Sequence, residues 1–349
     1  MTRQVLSPQV RIKNCTIMRN FGRLISIILM IFALSQTGCT EEETVYGDWV
    51  KRSDFDGVAR SDGSSFSIGD KGYVFGGYDG KNRLSDLWEY NAEQDFWTQK
   101  ATFPGTSRNT ALAFSLDGKG YMGTGYDGDS YLRDFWEYDP AANLWTRKAD
   151  FGGSARYGAV GFGIDGYGYA GTGYDGNYLK DMWKYDPAGD TWTQIVSIGG
   201  SKRNNATAFV TGGKGYVLCG INNGAYVSDF WRFDPLTVAW TQMRSISNST
   251  DEDFDDDYNI VRANAVALLI GDRVFISCGE NGSLKADTWE YFTESDLWEA
   301  TTDFEGTTRT AAVSITTGTR AFVVTGRSST YRFDDMWEFL PDVEYDSEY

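Results

Sequence analysis

Three tripeptides spaced 48 residues apart, Tyr78-Asp79-Gly80, Tyr126-Asp127-Gly128 and Tyr174-Asp175-Gly176, are the residues of this chain best suited to hold a ligand. A tyrosine ring stacks on a sugar or on a partner side chain, and the adjacent carboxylate accepts hydrogen bonds from hydroxyls. The same tripeptide also has a purely local use, because Asp-Gly makes a turn and the tyrosine packs beside the next repeat. Two charged sets recur with the same period. Arg60, Arg108, Arg156, Arg203, Arg262 and Arg309 form one, and Asp86, Asp134, Asp181, Asp229, Asp287 and Asp335 the other. A planar guanidinium grips carboxylates or carbonyls through a fork of donors. A feature used in every repeat reads as architecture; the alternative is an arginine cluster that receives an anionic sugar or a peptide carboxylate.

Other chemistry is limited. The chain has no histidine, which removes His-dependent triads and imidazole metal sites and leaves Lys, Tyr and carboxylates for proton transfer. No carboxylate stands apart from the repeated ones, so no catalytic residue and no cofactor is assigned. Asp251-Glu252-Asp253-Phe254-Asp255-Asp256-Asp257 offers oxygen ligands to calcium but lacks the glycine and closing glutamate of an EF-hand loop. It reads as a solvated acidic loop, and no metal site is assigned. The formal charge is −17, and loss of the first 38 residues, with five cations and no acid, takes it to −22. So acidic a chain excludes nucleic acid as a partner, since phosphate neutralisation needs a basic face.

The elements that position these residues are short strands. Of the twelve tryptophans, ten form pairs nine residues apart: Trp88/Trp97, Trp136/Trp145, Trp183/Trp192, Trp231/Trp240 and Trp289/Trp298. From Trp88 to Trp337 the copies advance 48, 47, 48, 58 and 48 residues. A period near 48 with four short apolar runs is a propeller blade. In the second copy the runs are 110–115, 120–124, 134–139 and 144–147, strands a to d, with Gly118-Lys119 turning a into b and 139–143 turning c into d. The unpaired tryptophans set the blade count. Trp337 has no strand d after it and Trp49 has no strand c before it, so residues 46–52 close a sixth blade and remove a free edge.

These residues resemble a kelch repeat: an arginine before strand a, Gly-Gly at the end of b, Tyr-Asp-Pro ending c and a tryptophan in d, a pattern from which this chain departs at the first glycine in all copies but the first. The first copy reads Arg60, Gly76-Gly77, Tyr90-Asn91 and Trp97; the third reads Arg156, Thr172-Gly173, Tyr185-Asp186-Pro187 and Trp192. Double glycine occurs only in the first copy, the others reading Thr-Gly or Cys-Gly. The resemblance implies an all-β, six-bladed kelch-type β-propeller over residues 46–341, with an acidic tail at 342–349. In such a fold the b–c and d–a loops share a face. The three Tyr-Asp-Gly loops then lie beside Asn222-Asn223-Gly224, Glu280-Asn281-Gly282 and Arg327-Ser328-Ser329, with the insertion at 251–258. Tyr78, Asp79, Tyr126, Asp127, Tyr174 and Asp175, with the six arginines at the channel mouth, are the candidate ligand residues of a monomeric module that binds a protein or glycan. Kelch propellers include galactose oxidase, whose copper site needs histidines absent here, and sialic acid mutarotases, which need only acid–base residues and arginines. A carbohydrate-active enzyme of that mutarotase or epimerase type is the alternative to a non-enzymatic binder.

The N-terminal segment reads as a leader. Residues 24–34 are continuously apolar and follow Arg19 and Arg23, which makes 1–38 a signal peptide with Met18 as an alternative start. Eleven residues fall short of the about 20 that a membrane span needs. Thr37-Gly38-Cys39 resembles the end of a bacterial lipoprotein signal, with Gln36 departing from the usual aliphatic residue. Cys39 is the expected lipidation site, and 39–45 the tether. The glutamates 41–43 resemble the surface-export signal of Bacteroidota lipoproteins. The expectation is an exported protein, lipid-anchored to the outer membrane. Cys15 and Cys39 fall in this segment. Cys219 and Cys278 occupy equivalent positions of neighbouring repeats, too far apart for a disulfide, and read as small buried thiols.

Overall fold

The structure, a computed structural model, describes residues 45–345. The signal peptide, Cys39 and all but the last residue of the tether lie outside them, as do the final four residues of the tail. The described residues form six four-stranded antiparallel sheets. They contain one short 3-10 helix, Asp253–Asp255, and none long and apolar enough to cross a membrane.

The second blade shows how the residues make the element. Its strands are Leu112–Leu116, Lys119–Gly123, Phe135–Asp139 and Leu144–Lys148, within two residues of the expected runs. Leu116 pairs with Lys119, so the a–b turn is Asp117-Gly118, one residue earlier than expected. Both turn residues have positive φ, 49° and 76°, the handedness that matches strand twist in a two-residue hairpin. Burial declines outward. Strand b is buried on both faces, whereas in strand d only Trp145 is buried, at 6% exposure. Trp145 packs edge-on against Phe75 and Phe103 of the preceding blade and in a tilted contact against Tyr138 of its own. Neighbouring blades interlock closely: a Cβ on Gly120 would lie 2.2 Å from the Phe66 ring, so only glycine fits.

The c–d turn carries a second device. Asn143, at φ 50°, accepts hydrogen bonds from the Tyr138 hydroxyl (2.7 Å) and from the Ala101 N–H of the preceding blade (2.9 Å). Asp95, Asp190 and Asp296 do the same in blades one, three and five. Blade four has replaced both partners together, with Phe233 for the tyrosine and Val238, still at φ 52°, for the acceptor.

Ring closure follows the expectation from the unpaired tryptophans. Tyr46–Lys51 pairs antiparallel with Met336–Glu344, which also pairs with Ala321–Val324. Trp49 is 3% exposed and packs on Phe304 and Phe339, the latter holding the place of the tyrosine in other blades. The last strand runs to Glu344, three residues beyond the expected boundary. Its register shifts at a bulge between Tyr46 and Asp48, opposite Pro341, which has no N–H to give a ladder. Cys219 and Cys278 are buried and unpaired as expected, and burial pushes both thiols up to about 11.

Candidate functional site

The repeated arginines build the floor of the loop face. Each is 0–1% exposed and pairs with the aspartate of its own blade. In blade two, Arg108 places Nη1 and Nη2 at 2.6 and 2.7 Å from the two Asp134 oxygens. Nη1 also donates to the Thr124 carbonyl, and Nε to that of Thr106. Trp136 Nε1 donates to Asp134 from the other side. Burial alone would raise the carboxyls of Asp86, Asp134 and Asp335, but their arginines and tryptophans outweigh it and hold them below the usual carboxylate range. Arg60, Arg108, Arg156, Arg203, Arg262 and Arg309 therefore brace the b–c loops from within. This corrects their placement as a ligand-binding cluster at the channel mouth: the guanidiniums are covered, and their donors face the frame.

The Thr-Gly and Cys-Gly variants of the double glycine have a geometric reason. The first position is left-handed in every blade, with φ between 56° and 62°, and tolerates Thr and Cys. At the second, a Cβ on Gly77, Gly125, Gly173, Gly220, Gly279 or Gly326 would stand 2.6–3.1 Å from a backbone carbonyl, so all six are glycine. Those carbonyls belong to Ser61, Asn109, Tyr157, Asn204, Ala263 and Thr310. Each of these bridges by two backbone hydrogen bonds to Tyr78, Tyr126, Tyr174, Ile221, Glu280 and Arg327 respectively. The residue equivalent to the tyrosines in blade four is thus Ile221, not Asn222.

One residue further along, the six blades join directly. Asp62, Thr110, Gly158, Asn205, Asn264 and Ala311 all have φ between 49° and 61°. The N–H of each donates to the carbonyl of its neighbour, at 2.8–3.3 Å, in a closed ring. With hydrogen-bonded chains about 4.8 Å apart, a hexagon of this kind leaves a free radius of about 3 Å after atomic radii are removed. Below this collar, the six a strands line a cavity of about 470 Å³.

Around the collar the side chains differ by blade. Arg332 and Arg83 both lie over the Tyr78 ring, at 4.9 and 4.7 Å, and Arg83 also lies over Tyr126, at 5.1 Å. Tyr126, Tyr131, Tyr157, Tyr174 and Tyr178 continue the arc with ring centroids 5.0–6.1 Å apart. The result is a half-buried ladder from blade six through blade three. The aspartates of the tripeptides shape the turns that carry it. Asp79 Oδ1 accepts from the Lys81 and Asn82 N–H groups, Asp127 Oδ1 from Asp129 and Ser130, and Asp175 Oδ1 from Asn177. Burial raises these carboxyls, but for Asp79 and Asp127 the backbone donors together outweigh it. For Asp175 the Ser154 hydroxyl and the Asn177 donors do so, and all three sit below the ordinary range.

At the blade-six end of the ladder, across blades five, six and one, is a polar cluster. Glu280 Oε1 accepts from Asn264 Nδ2 (3.0 Å) and Thr310 Oγ1 (3.2 Å). Asp62 Oδ2 accepts from Ser61 Oγ at 2.7 Å. Arg327 stands between them, 3.9 Å from each carboxylate. Burial pushes the Asp62 carboxyl up, and its hydrogen bond to Ser61 and the nearby Arg327 and Arg332 do not fully offset this. The acidic insertion lies apart from the cluster. Asp255 is buried there and its carboxylate is spent on Ser249 N, Thr250 N and Thr250 Oγ1. Among the described residues no group of three metal-ligating side chains occurs.

Sequence reasoning missed Asp62, Arg83, Tyr131, Tyr157, Tyr178 and Arg332. The signal was present in a different form: these positions vary from copy to copy. Asp62 aligns with Thr110, Gly158, Asn205, Asn264 and Ala311, so it is the one acid in its ring.

Six blades, each braced by a buried arginine, with the last closed by the N-terminal strand, define a kelch-type β-propeller. Residues 59–104 and 168–198 match the family described as the kelch motif, within a six-bladed β-propeller. The solved structure of YjhT is similar to it, with a TM-score of 0.67 and 16% identity, over 82% of this chain and 96% of that one. At that identity the likeness establishes the fold. Among curated proteins no sequence matches the chain.

Proposed function

We propose that this propeller is a non-enzymatic glycan-binding module, exported and held on the outer membrane by lipid at Cys39, that takes its ligand on the tyrosine face. The observation that carries the reading is the one-sidedness of the ladder. Blades four and five keep the buried arginine, the collar and the paired loops with Ile221, Tyr226, Glu280 and Leu284 in the equivalent places. The frame therefore does not require Tyr78, Tyr126, Tyr131, Tyr157, Tyr174 or Tyr178. Half-exposed aromatic rings beside uncommitted polar groups suit a sugar, whose CH faces stack while its hydroxyls hydrogen-bond. The leader composition and the Thr37-Gly38-Cys39 junction support the anchor; several acyl chains, at about 0.8 kcal/mol per buried methylene, hold a protein on a membrane durably.

Calorimetric titration of the mature protein with an oligosaccharide panel tests this. Saturable binding that is lost in a Tyr126→Ala/Tyr131→Ala variant of unchanged melting temperature is the expected result. Absence of binding to every sugar, together with capture of a defined protein by the same face, would replace the glycan with a protein ligand. A second reading, a sugar mutarotase or epimerase, is favoured by Asp62 and Glu280, two carboxylates outside the repeated set that flank Arg327. Turnover of the bound sugar, followed as anomer exchange by NMR, decides for the enzyme.

A further inference from the structure

We infer that the Asp62–Arg327–Glu280 cluster is a subsite for an uncharged sugar residue with vicinal hydroxyls, and that it selects against acidic sugars. The inference rests on the glycan reading of this face. Arg327 is 3.9 Å from both carboxylates, beyond the 2.7–3.2 Å of a hydrogen bond. Its charge is compensated while its donors stay unspent. The two carboxylates are held by Ser61, Asn264 and Thr310 through one oxygen each, which leaves Asp62 Oδ1 and Glu280 Oε2 to accept. All three side chains are accessible, at 30% for Arg327, 18% for Asp62 and 26% for Glu280.

A hydroxyl is the group that fits such a gap, since it accepts from the guanidinium and donates to a carboxylate at once. Two adjacent hydroxyls serve both sides of Arg327 together. A ligand carboxylate can only accept, and would face Asp62 and Glu280 against one cation. Counting outward, three guanidiniums (Arg83, Arg327 and Arg332) face three carboxylates (Asp62, Asp79 and Glu280), so the rim has no positive excess to offer an anion.

The test compares neutral oligosaccharides of glucose, mannose and galactose with sialyl- and uronate-bearing oligosaccharides of equal length on the mature protein. Neutral sugars are expected to bind saturably, with little dependence on NaCl, and acidic ones about tenfold or more weakly. Glu280→Gln and Asp62→Asn should each weaken neutral binding about tenfold, the cost of a hydrogen bond to a charged group, with the circular dichroism spectrum and melting temperature unchanged. Acidic sugars that bind as tightly as neutral ones, or neutral binding indifferent to both substitutions yet lost in Tyr131→Ala, overturn the subsite and leave the glycan reading standing. Failure of every oligosaccharide to bind the wild-type protein removes the glycan reading and this inference with it.

Discussion

Replacing Arg156 by lysine separates a framing arginine from a ligand-binding one. Arg156 is 1% exposed. Its fork meets Asp181 at 2.6 and 2.9 Å, Nη1 also donates to the Thr172 carbonyl at 2.9 Å, and Nε donates to the Ser154 carbonyl at 3.0 Å. The guanidinium also lies 4.9 Å from the centre of the Phe151 ring. A lysine ammonium keeps the charge and reaches Asp181 and one carbonyl at most. One buried carbonyl then lacks its donor, which costs about 1–3 kcal/mol, and part of the stacking on Phe151 is lost, about 0.5–1 kcal/mol. The sum, about 1.5–4 kcal/mol, lowers the melting temperature by roughly 3–16 °C at the 2–4 °C per kcal/mol expected of a domain this large. Calorimetry of the mature protein measures the shift, and sugar titration well below the transition measures binding, which should be retained. A melting temperature within about 1 °C of wild type together with lost binding would place the arginine in the site and refute the buried-frame argument.

Three further outcomes are expected. Trp145→Ala should cost about 3–5 kcal/mol, because the ring fills the junction with Phe75 and Phe103; an unchanged urea midpoint would contradict that packing. Val238→Asn should stabilise by about 1 kcal/mol, since a β-branched residue at φ 52° is strained where Asn143 is not; a lower melting temperature would count against it. Stability should fall on acidification, because Asp86, Asp134 and Asp335 have depressed folded-state values. Their contribution is complete above the unfolded carboxylate value of about 3.9 and is lost as pH falls through the folded values. Denaturation midpoints measured from neutral pH to pH about 3 should show this loss, with a shallower decline in Asp134→Asn.

Blade number, strand order and the closing strand were legible in sequence because each depends on a local repeat. Trp49 and Trp337 are complementary halves of one unit, and no three-dimensional information was needed to join them. The frame role of Arg108 and Asp134 was half legible: recurrence marked it as architecture, but only packing shows that the guanidinium is covered and its fork spent on Asp134 and Thr124. The candidate site was the least legible part. Tyr78-Asp79-Gly80 attracted notice by repeating, yet its aspartate shapes a turn, and the ladder also needs Arg83 from the same loop and Arg332, more than 250 residues away in sequence. Nothing in the sequence singles out Asp62; the collar places it beside Arg327 and near Glu280. Sequence alone determines whatever is written once per blade, because a periodic fold imposes a periodic pattern. The tertiary structure decides what arises between unlike blades, since closing the ring brings together at its centre residues whose separation in the chain carries no regular signal.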